Sequence, residues 1–152
     1  MKNVIMIKYG EIYLKGNNRS FFENLLLKDI KYALFGISAT CKRVRTRYFV
    51  ENYDPKDEGL IVSKLKTVFG IHSFSKAVEI DTSKQSIAQY CDGIRLQNTT
   101  FKVETNRADK TFELNSMQVN CMVGDLVLNN NSTAKVDVHN PKVTIYIDRS
   151  EE

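Results

Sequence analysis

Residues 100–116 read TFKVETNRADKTFELNS. Phe101, Val103 and Thr105 alternate with Lys102, Glu104 and Asn106, the period-two signature of a strand with one buried face. A polar loop follows, Arg107-Ala108-Asp109-Lys110. Beyond Leu114-Asn115-Ser116, Met117, Val119, Val123, Leu126 and Val127 recur at helical spacing. Asn115 or Ser116 can cap that helix by accepting a bond from its first free amides. The unit is therefore strand, basic loop, helix N-terminus. Two cations and a set of unpaired amides are expected to face the same side, an arrangement that suits a phosphate. The plainer reading is a solvated strand-to-helix loop.

Upstream, residues 3–8 (NVIMIK) form a short apolar run suited to a buried strand. The segment from Tyr9 to Gly16 is a loop bracketed by Gly10 and Gly16. It lacks the Lys-Ser or Lys-Thr ending of a P-loop and is not GxGxxG. Ser20 with Glu23 three residues on predicts a capping box. Phe21, Phe22, Leu25, Leu26, Ile30, Ala33 and Leu34 then give helical spacing, ended by Gly36. Residues 37–52 (ISATCKRVRTRYFVEN) predict a hairpin with its turn near Arg45-Thr46. Lys42, Arg43, Arg45 and Arg47 gather at its tip, with no acidic residue among them. Asp54-Pro55 opens a second helix, whose apolar face is Leu60, Ile61, Leu65, Val68 and Phe69, and Gly70 ends it. Residues 71–80 predict a fourth strand. The order β-α-β-β-α-β is the split βαβ, ferredoxin-like arrangement, an antiparallel sheet with both helices on one face.

A second unit begins near Asp81, so the expected division is 1–80 and 81–152. A helix over residues 84–94 precedes the 100–116 stretch. The helix after that stretch runs to about Asn129, where Asn129-Asn130-Asn131-Ser132 breaks it. Val136 and Val138 suggest a short strand, His139-Asn140-Pro141 a turn, and residues 143–147 a last strand. The fold class is α+β.

The 152 residues carry 22 Lys+Arg against 18 Asp+Glu, unevenly placed. Residues 1–78 hold 14 cations against 7 acids, and residues 79–152 hold 8 against 11. A basic first half favours a polyanionic partner, and the 42–47 hairpin favours a nucleic-acid backbone. Three widely spaced cysteines, Cys41, Cys91 and Cys121, argue against a disulfide framework or zinc site and for reduced thiols in a cytoplasmic protein. No apolar run approaches the roughly 18 residues that span a bilayer. No HxxxH, CxxC, GxSxG or paired-carboxylate set appears, so no catalytic residue and no metal ligand is assigned. His72 reads as structural and His139 as a turn residue.

The segments KYGEIYLKGNNRSFFE and GIHSFSKA, then FKVETNRADKTFELNS and VDVHNPKVTIYI, together resemble the tRNA 4-thiouridine synthetases, also called tRNA sulfurtransferases and linked to thiamine thiazole synthesis. The resemblance covers essentially the whole chain and implies a ferredoxin-like domain followed by an α/β THUMP domain. In that family a third, ATP-pyrophosphatase domain with a Ser-Gly-Gly-x-Asp-Ser loop adenylates uridine 8 of tRNA. No such loop occurs here, so the resemblance implies the tRNA-binding part of a longer enzyme, with no cofactor of its own. ATP with Mg and a sulfur donor such as a cysteine desulfurase are implied for the whole parent, which could form a homodimer. The implied partner of this chain is the single-stranded 3′ CCA end of the tRNA acceptor arm. Positions matching the family's contacts are Lys102, Asn106, Arg107, Lys110, His139 and Asn140 in the second domain, and Lys15, Arg19, Arg45 and Arg47 in the first. Where the family has Gly-Gly in the second domain's helix, this chain has Gly124-Asp125, which implies looser packing there. Two other classes compete. One is an acylphosphatase-type hydrolase using Asn17, Asn18 and Arg19. The other is a ferredoxin-like regulatory module binding a small metabolite.

Overall fold

The structure, a computed structural model, describes residues 2–10, 16–44, 46–107 and 112–149, with nothing said of the Arg107 and Arg149 side chains. The chain divides into two compact units, one ending at Glu79 and one beginning at Ile80.

In the first unit β1 (Lys2–Tyr9), α1 (Arg19–Ala33), β2 (Thr40–Val44), β3 (Arg47–Glu51), α2 (Glu58–Leu65) and β4 (Ile71–Glu79) follow in the expected order. The sheet order is β2-β3-β1-β4, and every neighbouring pair is antiparallel. Alternation explains the core. Ile5, Ile7 and Tyr9 of β1 share a face with Tyr48 and Val50 of β3, and Leu26, Ile30 and Leu34 from α1 with Ile61 and Leu65 from α2 pack on it. Asp54 accepts a bond from the Lys56 amide at 2.9 Å, and Pro55 opens a short 3-10 turn that leads into α2. Gly36 and Gly70 hold φ of +87° and +101°, the left-handed conformation that ends each helical connection at little steric cost.

Three sequence expectations change here. Phe21 and Leu25 of α1, and Leu60 and Phe69 around α2, are exposed rather than buried. The apolar spacing is wider than the stripe each helix lays on the sheet. The capping box does not form either. Asn18 occupies the N-cap of α1 without a side-chain bond, and Glu23 turns into the protein, only 4% exposed.

In the second unit α3 (Lys84–Cys91) stops three residues before the expected end. It unwinds through turn bonds from Gly93 to Tyr90 and from Ile94 to Cys91. β5 (Thr100–Arg107), α4 (Ser116–Asn130), β6 (Lys135–Val136) and β7 (Val143–Arg149) follow. β5 is the middle strand, with β6 and β7 both parallel to it. Val138 lies outside β6. Phe101 is fully buried with Val119, Val123 and Val127 of α4, Cys91 and Ala134. Gly124 is buried but an added Cβ would meet nothing within 4 Å, and Asp125 is exposed.

Asn131 closes this unit. Its side chain accepts from the Leu96 amide at 2.7 Å and donates to the carbonyls of Ile94 and Val127 at 3.0 and 2.8 Å. The sequence marks this asparagine only as a helix breaker. It is a buried tie between the end of α4 and the loop leading to β5.

Candidate nucleic-acid interface

Asn115 caps α4 as expected. Its side chain accepts from the Gln118 amide at 2.8 Å while Gln118 accepts from the Asn115 amide at 2.8 Å. This reciprocal pair satisfies two polar groups at the helix start. The cations meant to join those amides, Arg107 and Lys110, lie at the end of β5 and outside the described residues respectively.

One face of the second unit's sheet packs on α4, with Thr105 donating to Asn120 at 2.7 Å. The parallel register places Lys102 beside Thr144, Glu104 beside Tyr146, and Asn106 beside Asp148 on the opposite face. Lys102 and Glu104 approach to 3.6 Å, and Tyr146 is 65% exposed. This face mixes signs. It has the profile of a surface for base edges and ring stacking more than of a continuous phosphate track. Tyr146 is the residue sequence reading missed. Its signal was the outward phase of the alternating Val-Thr-Ile-Tyr-Ile run.

The His139-Asn140-Pro141 turn is built by Asp137, whose carboxylate accepts from the His139 and Asn140 amides at 3.1 and 3.0 Å. Those bonds, that from Asn140 foremost, hold the Asp137 carboxyl below its ordinary range. Asp137 is thus the turn's organiser, where sequence reading gave it no role. The turn is tied to the first residues of β5, since Asp137 donates to the Phe101 carbonyl and Lys142 to that of Thr100. Arg107 sits at the other end of the same strand, about 20 Å away at ~3.3 Å per residue. The turn and Arg107 therefore lie at opposite ends of β5 and do not converge on one point.

The first unit rearranges the cations expected at the hairpin. Lys42 and Lys2 both reach Glu51, at 3.6 and 2.9 Å. Lys2 foremost, with Lys42, holds the Glu51 carboxyl below its ordinary value. Arg43 donates to Glu23 Oε2, and Arg19 donates from Nε to Glu23 Oε1 at 2.8 Å. Tyr48, fully buried, donates from its hydroxyl to the Glu23 carbonyl at 2.6 Å. Arg47 approaches the Met6 sulfur at 3.4 Å. No acid stands among the 42–47 cations in sequence, yet Glu51 at the end of the hairpin and Glu23 of α1 reach Lys42 and Arg43 in space. Lys15 and Arg45 lie outside the described residues.

Among the described residues no group of three His, Cys, Asp or Glu could hold a metal, and His72 and His139 are both exposed. No Ser-Gly-Gly-x-Asp-Ser run occurs in the sequence, so these residues do not fit an ATP site of that kind. Burial raises the Cys41 thiol to about 11 and pushes Cys91 up, while Cys121 is exposed. Among the described residues no helix is long and apolar enough to cross a membrane.

A split-βαβ unit followed by a parallel βαβ-type unit defines a two-domain α+β protein. Residues 4–75 match the ThiI ferredoxin-like domain and residues 81–151 match the THUMP domain. The chain belongs to the ThiI ferredoxin-like plus THUMP family. It is 44% identical to a protein of Caldanaerobacter subterraneus named probable tRNA sulfurtransferase, over all of this chain and 40% of that protein. A Coxiella burnetii protein of the same name is 31% identical with the same coverage. The chain thus spans about two fifths of the curated relatives it matches. Its fold also matches a 4-thiouridine synthetase solved with RNA and bound ATP, with a TM-score of 0.79 and 29% identity over 97% of this chain and 38% of the other. A Pyrococcus horikoshii structure matches with a TM-score of 0.81 and 29% identity over 98% of this chain and 51% of the other.

Proposed function

We propose that this chain is the tRNA-binding part of a tRNA sulfurtransferase that makes 4-thiouridine, and that it recognises the single-stranded 3′ end of the acceptor arm. The observation that carries the reading is the open face of the second unit's sheet, where Lys102, Asn106 and exposed Tyr146 lie together between the Asp137-built turn and Arg107. A single-stranded end leaves its bases free to stack on an aromatic ring and to bond side-chain amides. Phosphates are held by lysine and arginine, which position the strand. A duplex would keep those base faces stacked and paired.

Catalysis belongs to the remainder of the parent protein. ATP with Mg, a cysteine desulfurase as sulfur donor, a homodimeric assembly and a cytoplasmic setting are parts of the same proposal. A role of the parent in thiamine synthesis extends it. The test is binding of a CCA-ended acceptor-stem RNA to this chain and its variants. Tyr146→Ala and Lys102→Ala are each expected to weaken binding, about 10-fold for the loss of a stacked base at ~1–3 kcal/mol. Wild-type affinity in both variants would remove the open face from the interface.

A further inference from the structure

Helix α1 is apolar on two sides. Leu26, Ile30 and Leu34 face the sheet and are buried. Phe21, Leu25 and Tyr32 lie on the side away from them and are 65%, 42% and 83% exposed. Phe35, just past the helix end, is 89% exposed. Its amide donates to the Tyr32 carbonyl at 3.1 Å, so it eclipses Tyr32 as the i+3 residue of a 3-10 turn. With Lys28, these positions step by four, three, four and three residues along the chain. At 3.6 residues per turn, Phe21, Leu25, Lys28 and Tyr32 stay within a strip about 60° wide. That is the seam by which one helix packs against another. Single apolar residues scattered on a surface are ordinary, but a continuous row marks an interaction site. The one polar position in the seam is Lys28, at its centre, with Asp29 beside it. Both are exposed, and neither makes an ion pair among the described residues.

We infer that this face binds the same face of a second copy of the chain, with the two α1 helices antiparallel and crossing at Lys28-Asp29. The charges decide both the occupant and the direction. An antiparallel crossing sets Lys28 opposite the partner's Asp29, and two-fold symmetry makes that pair twice. Parallel helices would set lysine against lysine and aspartate against aspartate. The antiparallel register also lays Leu25 on the partner's Tyr32 and brings Phe21 to the partner's Phe35. A single polar residue in an apolar seam fixes the register at some expense of strength. Residues 21–35 cover about 21 Å of helix at ~1.5 Å per residue. Two faces of that length bury less than about 1,200 Å² in all, so the dimer is weak and depends on concentration. The homodimeric assembly named above thereby gains a contact surface in the first unit. The mass of the chain is measured without RNA, so failure of this interface and failure of the tRNA-binding reading are separate results.

The experiment is sedimentation equilibrium of the wild-type chain from about 5 to 500 μM, a span wide enough to titrate a weak dimer. Tyr32→Glu, Phe35→Ser, Lys28→Asp and the double variant Lys28→Asp with Asp29→Lys are run beside it, with thermal melts of each. All four positions are exposed, so folding is expected to survive every change. The wild-type mass should rise from one chain toward two across the series. Tyr32→Glu and Phe35→Ser should each raise the dissociation constant about 10-fold or more. Lys28→Asp sets like charges opposite each other and should raise it several-fold. The double variant restores opposite charges across the crossing and should return to within about 3-fold of wild type. A wild-type chain that stays at one chain mass throughout overturns the interface. So does a dimer that folded Tyr32→Glu and Phe35→Ser leave intact. Loss of the dimer in Lys28→Asp without recovery in the double variant overturns the antiparallel crossing.

Discussion

Replacing Glu23 by alanine should destabilise the first unit by about 3 kcal/mol. Glu23 is 4% exposed and accepts one charge-assisted bond from each of Arg19 and Arg43. Bonds to charged groups contribute ~1.5–3 kcal/mol apiece. The guanidiniums are a third to nearly half exposed, and once released they rehydrate. Halving the pair for that screening leaves about 2 kcal/mol. Loss of one buried methylene adds ~0.8 kcal/mol. Glu23→Gln keeps an acceptor and should cost about half as much, since one neutral amide oxygen replaces two charged ones. Asp29→Ala, on the exposed side of the same helix, is the control and should stay within ~0.5 kcal/mol. Urea unfolding followed by circular dichroism measures the effect, and a slope of ~1–1.5 kcal/mol per molar urea converts it into a midpoint lowered by about 2 M. A Glu23→Ala midpoint equal to that of Asp29→Ala would refute the argument that Glu23 is a structural anchor.

Three further outcomes follow from the same reasoning. Asn131→Ala removes one acceptor and two donations from a buried site. It should cost the second unit ~2–3 kcal/mol through unsatisfied backbone groups, seen as a melting temperature lower by roughly 10–20 °C. Glu51 has a folded pKa below its ordinary value. Its contribution is therefore present above the ordinary glutamate range and is lost as pH falls through the lower folded value. Glu51→Gln should flatten the acid limb of stability against pH, and an unchanged acid limb would contradict the Lys2–Glu51 bond. Timed alkylation at pH 8 with mass spectrometry should label exposed Cys121 first. Cys41, with its thiol raised to about 11, and buried Cys91 should follow only after unfolding.

The path from sequence to structure was uneven for physical reasons. Alternation in residues 101–106 and the Asn115 cap are local signals, and each forms as written, while the Asp54-Pro55 start forms one 3-10 turn ahead of α2. Glu23 was misread because a capping box and a buried anchor look alike in sequence, and its partner Arg43 is 20 residues away. Phe21, Leu25 and Phe69 are apolar yet exposed, because periodicity reports a possible face and not the width actually covered. For the candidate site, the sequence named residue types but not their grouping. Parallel pairing along β5 sets the His139-Asn140 turn and Arg107 at opposite ends of one strand and brings Tyr146 between them. Nothing in the local spacing of either segment encodes that register.

The most direct measurement of the central claim is binding of this chain to deacylated tRNA with its 3′ CCA intact, and to the same tRNA with the CCA removed, in one salt series. Recognition of the acceptor end predicts an affinity at least 10-fold higher for the intact tRNA, about 1.4 kcal/mol, persisting as salt rises. Equal affinity for the two, falling together with salt, would contradict 3′-end recognition and leave a basic surface without a reader.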